Sequence, residues 1–318
     1  MKLILCKDLR LGAVCTVNLS TEKTREWNVA RYRKFEHLLH TVGKEDGGYM
    51  ILLGKMFGAS IIPGDYVQAV NALIGKEAGV HVITSLVEED SRRLTSIAAQ
   101  PDNLHVLMSS AVDQYDDDAL TIRLEGNNLY IYSKADGSSF SINTDSCRIT
   151  ITGERLPSFE PCGFEDAMTN TFGYMIATFA RGGARCELRP STIYAFRFPK
   201  LPITADDTAE MIKAKAQKMA AENDADTFVR LTLTGTTGIG VEVNTEDIAD
   251  ILKDHVFYAE VIDGSSVDLS GYKPETGVSL ANEFVRLAMA DTTLGEAERA
   301  RVIRNGWNAL YEKEDAHK

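Results

Sequence analysis

Two short apolar stretches, each ending at charged residues, most constrain what this chain can fold into. The first runs from Met1 to Gly12 and the second from Met50 to Phe57. Each has the length and apolar character of a buried β-strand followed by a loop. The carboxyl ends of parallel strands meet at one edge of an open α/β sheet, so we expect the loop residues Asp8, Arg10 and Lys55 to lie near one another.

The order of strands and helices predicts a mixed α/β chain. Apolar strands alternate with amphipathic helices as far as Met108, which is typical of a parallel sheet covered by helices. Short strands separated by Gly, Asn and Asp turns then run from Leu120 to Phe198 and indicate an antiparallel sheet packed on the first. An αβαβ module and two helices follow. We therefore predict domains at residues 1–198, 199–270 and 271–318.

The charge of the chain limits its partners. Lys and Arg number 34 and Asp and Glu number 46, which gives a net charge of −12. Proteins that hold nucleic acid unaided usually carry a basic surface, so we expect DNA contact only within a complex, if at all. The densest basic stretch contains Arg25, Arg31, Arg33 and Lys34, and it is interpreted as the solvated face of a helix.

The cysteines and the apolar runs indicate the cellular compartment. The five cysteines are widely spaced and contain no Cys-x-x-Cys pair, which argues against a disulfide framework or a zinc ribbon. Cys6 and Cys15 are interpreted as a buried strand residue and a loop residue rather than a redox pair. No apolar run approaches the roughly 20 residues of a membrane span. We expect a reduced, cytoplasmic protein without membrane contact.

Several segments, taken in order, resemble a known family. They are Asp8-Leu9-Arg10-Leu11-Gly12, Leu53-Gly54-Lys55-Met56-Phe57, Val82 to Glu88, Phe159-Glu160-Pro161 and Gly173-Tyr174. This order resembles the calcineurin-like metallophosphoesterase superfamily, and within it the SbcD-type DNA-repair exonucleases, whose motifs are Asp-x-His-x-Gly, Gly-Asp-x-Phe and Gly-Asn-His-Asp. The resemblance implies a shortened four-layer α/β/β/α sandwich, a small α+β cap domain and C-terminal helices.

The matched positions differ from the family in chemically important ways. The family hydrolyses phosphate esters with two metal ions, which Asp, His and Asn side chains hold. Asp8 retains a side chain that can bind a metal. Arg10 occupies the position of a histidine ligand, and Lys55 occupies the position of the aspartate that bridges the two metals in the family. A guanidinium offers no lone pair to a metal. Leu86 and Val87 replace the amide and the catalytic histidine.

The remaining ligands are missing as well. Glu88 is a further carboxylate beside these motifs, and no histidine lies between His105 and His255, where the family has its later ligands. The sequence therefore predicts no metal site and no cofactor, with Mn or Mg as the alternative. Two interpretations of Asp8, Arg10 and Lys55 stay open: a relic site in which the cations pair with Asp8, or three solvated loop residues.

The C-terminal helices carry an apolar stripe with two interpretations. The resemblance implies that helices beyond the cap dock on the coiled coil of an SbcC-type ATPase. The alternative is that the stripe folds back on the chain's own core. A homodimer is a further expectation. The residues of the stripe are Leu280, Phe284, Leu287, Ile303, Trp307 and Leu310.

Three functions remain as hypotheses. The first is a degenerate, non-catalytic SbcD-like subunit that acts through protein contacts. The second is a working phosphoesterase or nuclease with an atypical site around Asp8 and Glu88. The third is an anion-binding protein in which Arg10 and Lys55 clamp a phosphate. The missing histidines weigh against the second.

Overall fold

The computed structural model describes residues 1–44, 48–59, 62–96, 100–108, 112–150, 152–180, 183–238, 241, 243–268 and 280–315. The chain forms two compact units, Met1–Ile193 and Tyr194–Lys318. The described residues form eight helices and several sheets, so the predicted mixed α/β class is confirmed. Residues 271–279 of the expected C-terminal extension lie outside the described ranges. None of the described helices is long and apolar enough to cross a bilayer.

The first unit begins with alternating strands and helices and continues with mostly antiparallel strands. Its elements are β1 (Lys2–Lys7), α1 (Thr21–Lys44), β2 (Tyr49–Gly54), α2 (Gly64–Lys76), β3 (His81–Leu86), α3 (Glu88–Thr95), β4 (Leu104–Val106), β5 (Asp113–Asp116), β6 (Leu120–Glu125), β7 (Asn128–Ser133), β8 (Ser139–Asn143), β9 (Arg148–Ile149), α4 (Phe164–Thr169), β10 (Gly173–Ala180) and β11 (Gly183–Pro190).

A six-stranded mixed sheet forms the centre of this unit, in the order β11-β10-β1-β2-β3-β4. Strands β1 to β4 are parallel, and β10 and β11 are antiparallel to their neighbours. Successive side chains of a strand point to opposite faces, so Ile4 and Met50 pack on α1 and α2, against residues such as Phe35 and Val70. Burial of each such side chain contributes roughly 1.5 to 3 kcal/mol.

The other face of the central sheet packs on a five-stranded antiparallel sheet, β5-β6-β7-β8-β9. Leu5 and Ile51 meet Ile122 and Ile131 in one buried cluster. Residues that alternate with these, such as Tyr132, are exposed. The described part of this unit therefore has three layers, one of helices and two of strands, and no described helix covers the outer antiparallel face.

A cluster of hydrogen-bonded titratable side chains lies where β2 and β3 begin. The carboxylate of Asp117 accepts hydrogen bonds from the hydroxyls of Tyr49 (2.6 Å) and Tyr115 (2.5 Å). The Tyr115 hydroxyl lies 3.1 Å from Nδ1 of His81, and the His105 and Tyr115 ring centroids are 4.5 Å apart. Burial raises the pKa of Asp117, but the hydroxyls and two backbone amides outweigh it and lower the pKa to about 2.

We predict that acidification destabilises this cluster in two stages. Burial and His81 lower the pKa of His105 below its ordinary value of 6.5. As the pH falls, His105 is therefore protonated in the unfolded chain before it is protonated in the folded chain. The free energy of unfolding falls as the pH drops below about 6.5. Asp117, with a folded pKa of about 2, adds a second loss as the pH falls below about 4.

Urea unfolding at about pH 7.5 and about pH 5.8, followed by circular dichroism, measures the first stage. We expect His105→Gln to reduce the loss of stability between the two pH values. The control His37→Gln changes an exposed histidine of α1 and should leave the loss as it is in the unmodified chain. An equal loss in all three proteins would contradict the prediction.

The second unit is built on one long strand. Its elements are β12 (Ala195–Arg197), β13 (Lys200–Ile203), α5 (Ala209–Ala220), β14 (Thr227–Thr237), α6 (Thr245–Lys253), β15 (Tyr258–Asp263), β16 (Ser266–Val267), α7 (Leu280–Ala290) and α8 (Glu296–Asp315). Strand β14 pairs in parallel with β12 and β13, and with β15 and β16. Helices α5 and α6 pack on the sheet through Ile212 and Leu252.

The two C-terminal helices pack on each other and on this sheet. Val285 and Ile303 form the centre of the contact between α7 and α8. Arg304 of α8 reaches the carboxylate of Asp263 (2.6 Å) and the hydroxyls of Thr237 and Ser265 (3.0 Å each). The guanidinium therefore fixes α8 to the last residues of β14 and β15 and to the turn that follows β15.

Candidate functional site

Three chain segments meet at the carboxyl ends of β1 and β2. The backbone N–H of Arg10 donates to the carbonyl of Lys55 (3.2 Å), and that of Leu11 donates to Met56 (2.9 Å). The third segment, 157–166, joins through the N–H of Phe159, which donates to the carbonyl of Lys7 at 3.0 Å. The edge predicted from the strand pattern is therefore formed by two adjacent loops and a segment about 150 residues later in the chain.

Asp8 is held by the loops around it. Its backbone has a positive φ of 53°. One carboxylate oxygen accepts the backbone N–H of Lys55 at 3.0 Å, and the other lies 3.3 Å from Nζ of Lys7. Asp8 therefore contacts Lys55 as expected, but through the backbone, and its cationic partner is the nearly buried Lys7.

Gly54 allows β2 to end against Asp8. Its φ is +76°, and a Cβ at this position would lie 2.4 Å from Oδ1 of Asp8. Since only glycine adopts such a conformation freely, we predict that Gly54→Ala lowers the free energy of unfolding by about 2 kcal/mol.

The matched control is Gly64→Ala, because a Cβ at Gly64 has open space around it. Urea unfolding should show a change of less than about 0.5 kcal/mol for this variant. Similar losses in the two variants would show that the close approach of Gly54 to Asp8 carries no special energy.

Arg10 pairs with a carboxylate that the sequence did not single out. Its Nη1 lies 3.0 Å from Oδ2 of Asp166 and 3.6 Å from Sγ of Cys162. The same Asp166 oxygen accepts the backbone N–H of Cys162 at 3.1 Å. Burial lowers the pKa of Arg10, but Cys162, Asp166 and Asp8 outweigh it and raise the pKa. The guanidinium therefore joins the loop after β1 to the start of α4.

The basic face of α1 is not uniformly solvated, so the expectation was wrong for two of its residues. Arg31 is 1% exposed and donates to the carbonyls of Pro161 (2.9 Å) and Leu9 (3.1 Å). Lys34 is largely buried and pairs with Glu160. Arg25 and Arg33 are exposed, as expected.

The spacing of α1 contained a signal for these buried cations. Arg31 lies four residues after Trp27 and four before Phe35, in the apolar stripe of the helix. Its guanidinium lies 4.7 Å from the centroid of the Trp27 ring. A cation inside an apolar stripe needs partners, and here backbone carbonyls of the site supply them.

Lys55 and Glu88 do not join Asp8 through their side chains. The Lys55 side chain is exposed and forms no ion pair with the described residues. Glu88 is exposed and pairs with Arg92 one turn along α3. Among the described residues, no hydrogen bond or ion pair links Glu88 to Asp8. The predicted site residues Glu88 and Asp8 therefore do not form a polar contact with each other.

Asp90 is the acidic residue of α3 that faces the site. It is 2% exposed, and its Oδ2 accepts the backbone N–H groups of Met56 (2.8 Å) and Phe57 (3.1 Å). Arg93 lies 3.1 Å from its other oxygen. In the run Glu88-Glu89-Asp90 only the third side chain is turned inward, because α3 begins at Glu88.

The residues at this edge do not fit a two-metal centre. Such a centre needs several oxygen and nitrogen donors that converge on each ion. Here the carboxylate of Asp8 is engaged by Lys7 and by a backbone amide, while Arg10 and Lys55 bring positive charge. Among the described residues, no group of three His, Cys, Asp or Glu side chains is placed to hold a metal.

The expected docking residues of the C-terminal helices fall into two groups. Leu280 and Leu287 are 72% and 56% exposed and lie two turns apart on α7. Ile303 is buried between α7 and α8, with Phe284 and Trp307 packed against it. Leu310 is partly exposed. The exposed group therefore presents apolar surface, and the inner group stabilises the helix pair.

No protein-family model matches the chain, and no curated protein matches it. The site is therefore defined by its geometry alone: an edge of a mixed sheet where ion pairs and buried guanidinium contacts hold three loops together.

Proposed function

We propose that this chain is a non-catalytic SbcD-like protein that acts through protein contacts. The observation that supports it most is the pairing of Arg10 with Asp166, because it puts a structural ion pair at the position matched to a metal-binding histidine. Lys7, Arg31 and Lys34 form further structural contacts there. Together with the ion pair, they support a role for this edge in holding the loops rather than in catalysis.

The fold we propose for the first unit is a shortened metallophosphoesterase-type sandwich. The central mixed sheet, the helical layer on one face and the antiparallel sheet on the other are consistent with it. The fourth, helical layer of that architecture is the part for which the described residues offer no counterpart.

The partner we propose is a coiled-coil ATPase of the SbcC type. Leu280 and Leu287 expose apolar surface on one side of α7, and an amphipathic helix binds a coiled coil through side chains at such spacing. The net charge of −12 is consistent with DNA contact that depends on this partner.

Two assays test the proposal. In the first, the purified chain is incubated with manganese and either bis(p-nitrophenyl) phosphate or linear duplex DNA. We expect no hydrolysis above that of Asp8→Asn. Hydrolysis that Asp8→Asn abolishes would contradict the proposal and support the phosphoesterase hypothesis.

In the second assay, binding to the coiled-coil region of an SbcC-type ATPase from the same organism is measured by calorimetry. We expect Leu287→Asp to weaken binding at least tenfold, which corresponds to about 1.4 kcal/mol. Met211→Asp is the control, since Met211 is also exposed and lies on α5. Equal binding by the two variants would exclude α7 as the docking surface.

The anion clamp is the weaker alternative. Its two cations differ in availability, because Arg10 is held by Asp166 whereas Lys55 is exposed without an ion pair among the described residues. Phosphate binding that is lost in Lys55→Gln would favour the clamp over the scaffold.

A further inference from the structure

Two cysteines, Cys15 and Cys162, lie in chain segments that are hydrogen-bonded to each other near Arg10. Thr16 directly follows Cys15, and its backbone N–H donates to the carbonyl of Cys162 at 2.8 Å. The Thr16 hydroxyl donates to the same oxygen at 3.2 Å. The Thr16 amide therefore links the backbones of the two cysteines. Each cysteine is 7% exposed.

The backbone hydrogen bond brings the two α-carbons close to the distance that a disulfide spans. From standard peptide dimensions, the hydrogen bond of Thr16 limits the distance between the α-carbons of Cys15 and Cys162 to about 7.6 Å at most. Disulfides join α-carbons roughly 4.4 to 6.8 Å apart. Gly163 allows this approach, since a Cβ at its position would lie 1.8 Å from the hydroxyl oxygen of Thr16.

Arginine side chains lie near both cysteines. Nη1 of Arg10 lies 3.6 Å from Sγ of Cys162. Burial lowers the pKa of Arg31, and Cys162 and Cys15 both oppose that shift, so Arg31 is within electrostatic reach of both thiols. A neighbouring cation stabilises the thiolate, which is the reactive form in thiol oxidation. Cys162 has the arginine contact at its sulfur, whereas burial raises the pKa of Cys15, so we expect Cys162 to react first.

We propose that Cys15 and Cys162 are a redox-responsive thiol pair that hydrogen peroxide converts into an intramolecular disulfide. The Cys162 thiolate attacks one peroxide oxygen, the O–O bond breaks, and a sulfenic acid and hydroxide form. The Cys15 thiolate then attacks the sulfenic sulfur and expels a second hydroxide. The two hydroxides take up the two thiol protons as water, so two thiols are oxidised and one peroxide is reduced.

The disulfide would join the loop after β1 to the segment that carries Asp166. These are the same two segments that the Arg10–Asp166 ion pair holds together. Oxidation therefore adds a covalent link to the electrostatic one. This inference is independent of the proposed function, because it concerns the state of the loops whatever they contact.

Peptide mapping of the unmodified full chain is the first test and needs no variant. The reduced protein is treated with increasing hydrogen peroxide, alkylated with N-ethylmaleimide under non-reducing conditions and digested. We expect a peptide pair linked through Cys15 and Cys162 that dithiothreitol separates. A disulfide to another cysteine would overturn the proposal, as would labelling of both thiols after the half-buried Cys186 has been oxidised.

Variants then test the roles of the groups. Cys15→Ser should abolish the link and leave Cys162 as a sulfenic acid that dimedone traps, whereas Cys186→Ser should form the link at the unmodified rate. Arg10→Gln should slow the loss of the free Cys162 thiol about tenfold, because it removes the cation that lies beside the sulfur. An unchanged rate in Arg10→Gln, with a folded circular dichroism spectrum, would contradict the role of the guanidinium.

Discussion

Replacing Arg31 by alanine is expected to lower the free energy of unfolding by about 4 kcal/mol. Its guanidinium is buried and donates to the carbonyls of Pro161, Leu9 and Arg10. Truncation leaves the carbonyls of Pro161 and Leu9 without this donor, each at a cost of about 1 to 3 kcal/mol unless water enters, whereas the Arg10 carbonyl keeps the N–H of Ala13. It also removes the contact with the Trp27 ring.

Arg33→Ala is the control for this prediction, because Arg33 lies on the same helix and is exposed. Its unfolding free energy should change by less than about 0.5 kcal/mol. Urea titrations monitored by circular dichroism at neutral pH give both values. A loss below about 1 kcal/mol for Arg31→Ala would show that the buried guanidinium does not hold the site together.

Replacing Lys34 by methionine is expected to cost about 3 to 5 kcal/mol, because it leaves Glu160 buried without its cation. Glu160 is 2% exposed, and Lys34 also donates to the carbonyl of Ser191 at 2.7 Å. Burial raises the pKa of Glu160 and lowers that of Lys34, and each charge opposes the shift of the other, so each depends on its partner. The stability deficit of the variant relative to the unmodified chain should shrink as the pH falls and Glu160 is neutralised.

A double-mutant cycle separates the pair from its surroundings. Lys34→Met combined with Glu160→Met removes both charges, so we expect the double variant to be more stable than Lys34→Met alone and the coupling to exceed about 2 kcal/mol. The same cycle on the exposed pair Glu88–Arg92 should give no more than about 0.5 kcal/mol. Equal coupling in the two cycles would contradict the importance we assign to the buried pair.

The fold could be predicted from the sequence where local patterns decide it. The apolar spacing of α1 and the short apolar strands fix one helix and the parallel strands β1, β2 and β3, since both periods are visible over a few residues. The change to antiparallel strands near Leu120 was visible in the turn residues.

The site could be predicted only in part, because its partners are distant in the sequence. Asp8 and the Lys55 backbone meet as the strand pattern predicts. Asp166 lies 156 residues from Arg10, and no local signal connects the two. Asp90 and Glu88 are two residues apart on α3, so their side chains lie on different sides of the helix. Asp90 points to the site and Glu88 points to solvent.

The most direct test of the account is a manganese titration of the purified chain by calorimetry, with elemental analysis before and after. If ion pairs have taken the place of metal ligands around Asp8, Arg10 and Lys55, no stoichiometric manganese will bind, and Asp8→Asn will behave like the unmodified chain. Tight uptake of about two ions per chain, lost in Asp8→Asn, would show that these loops form a metal centre after all.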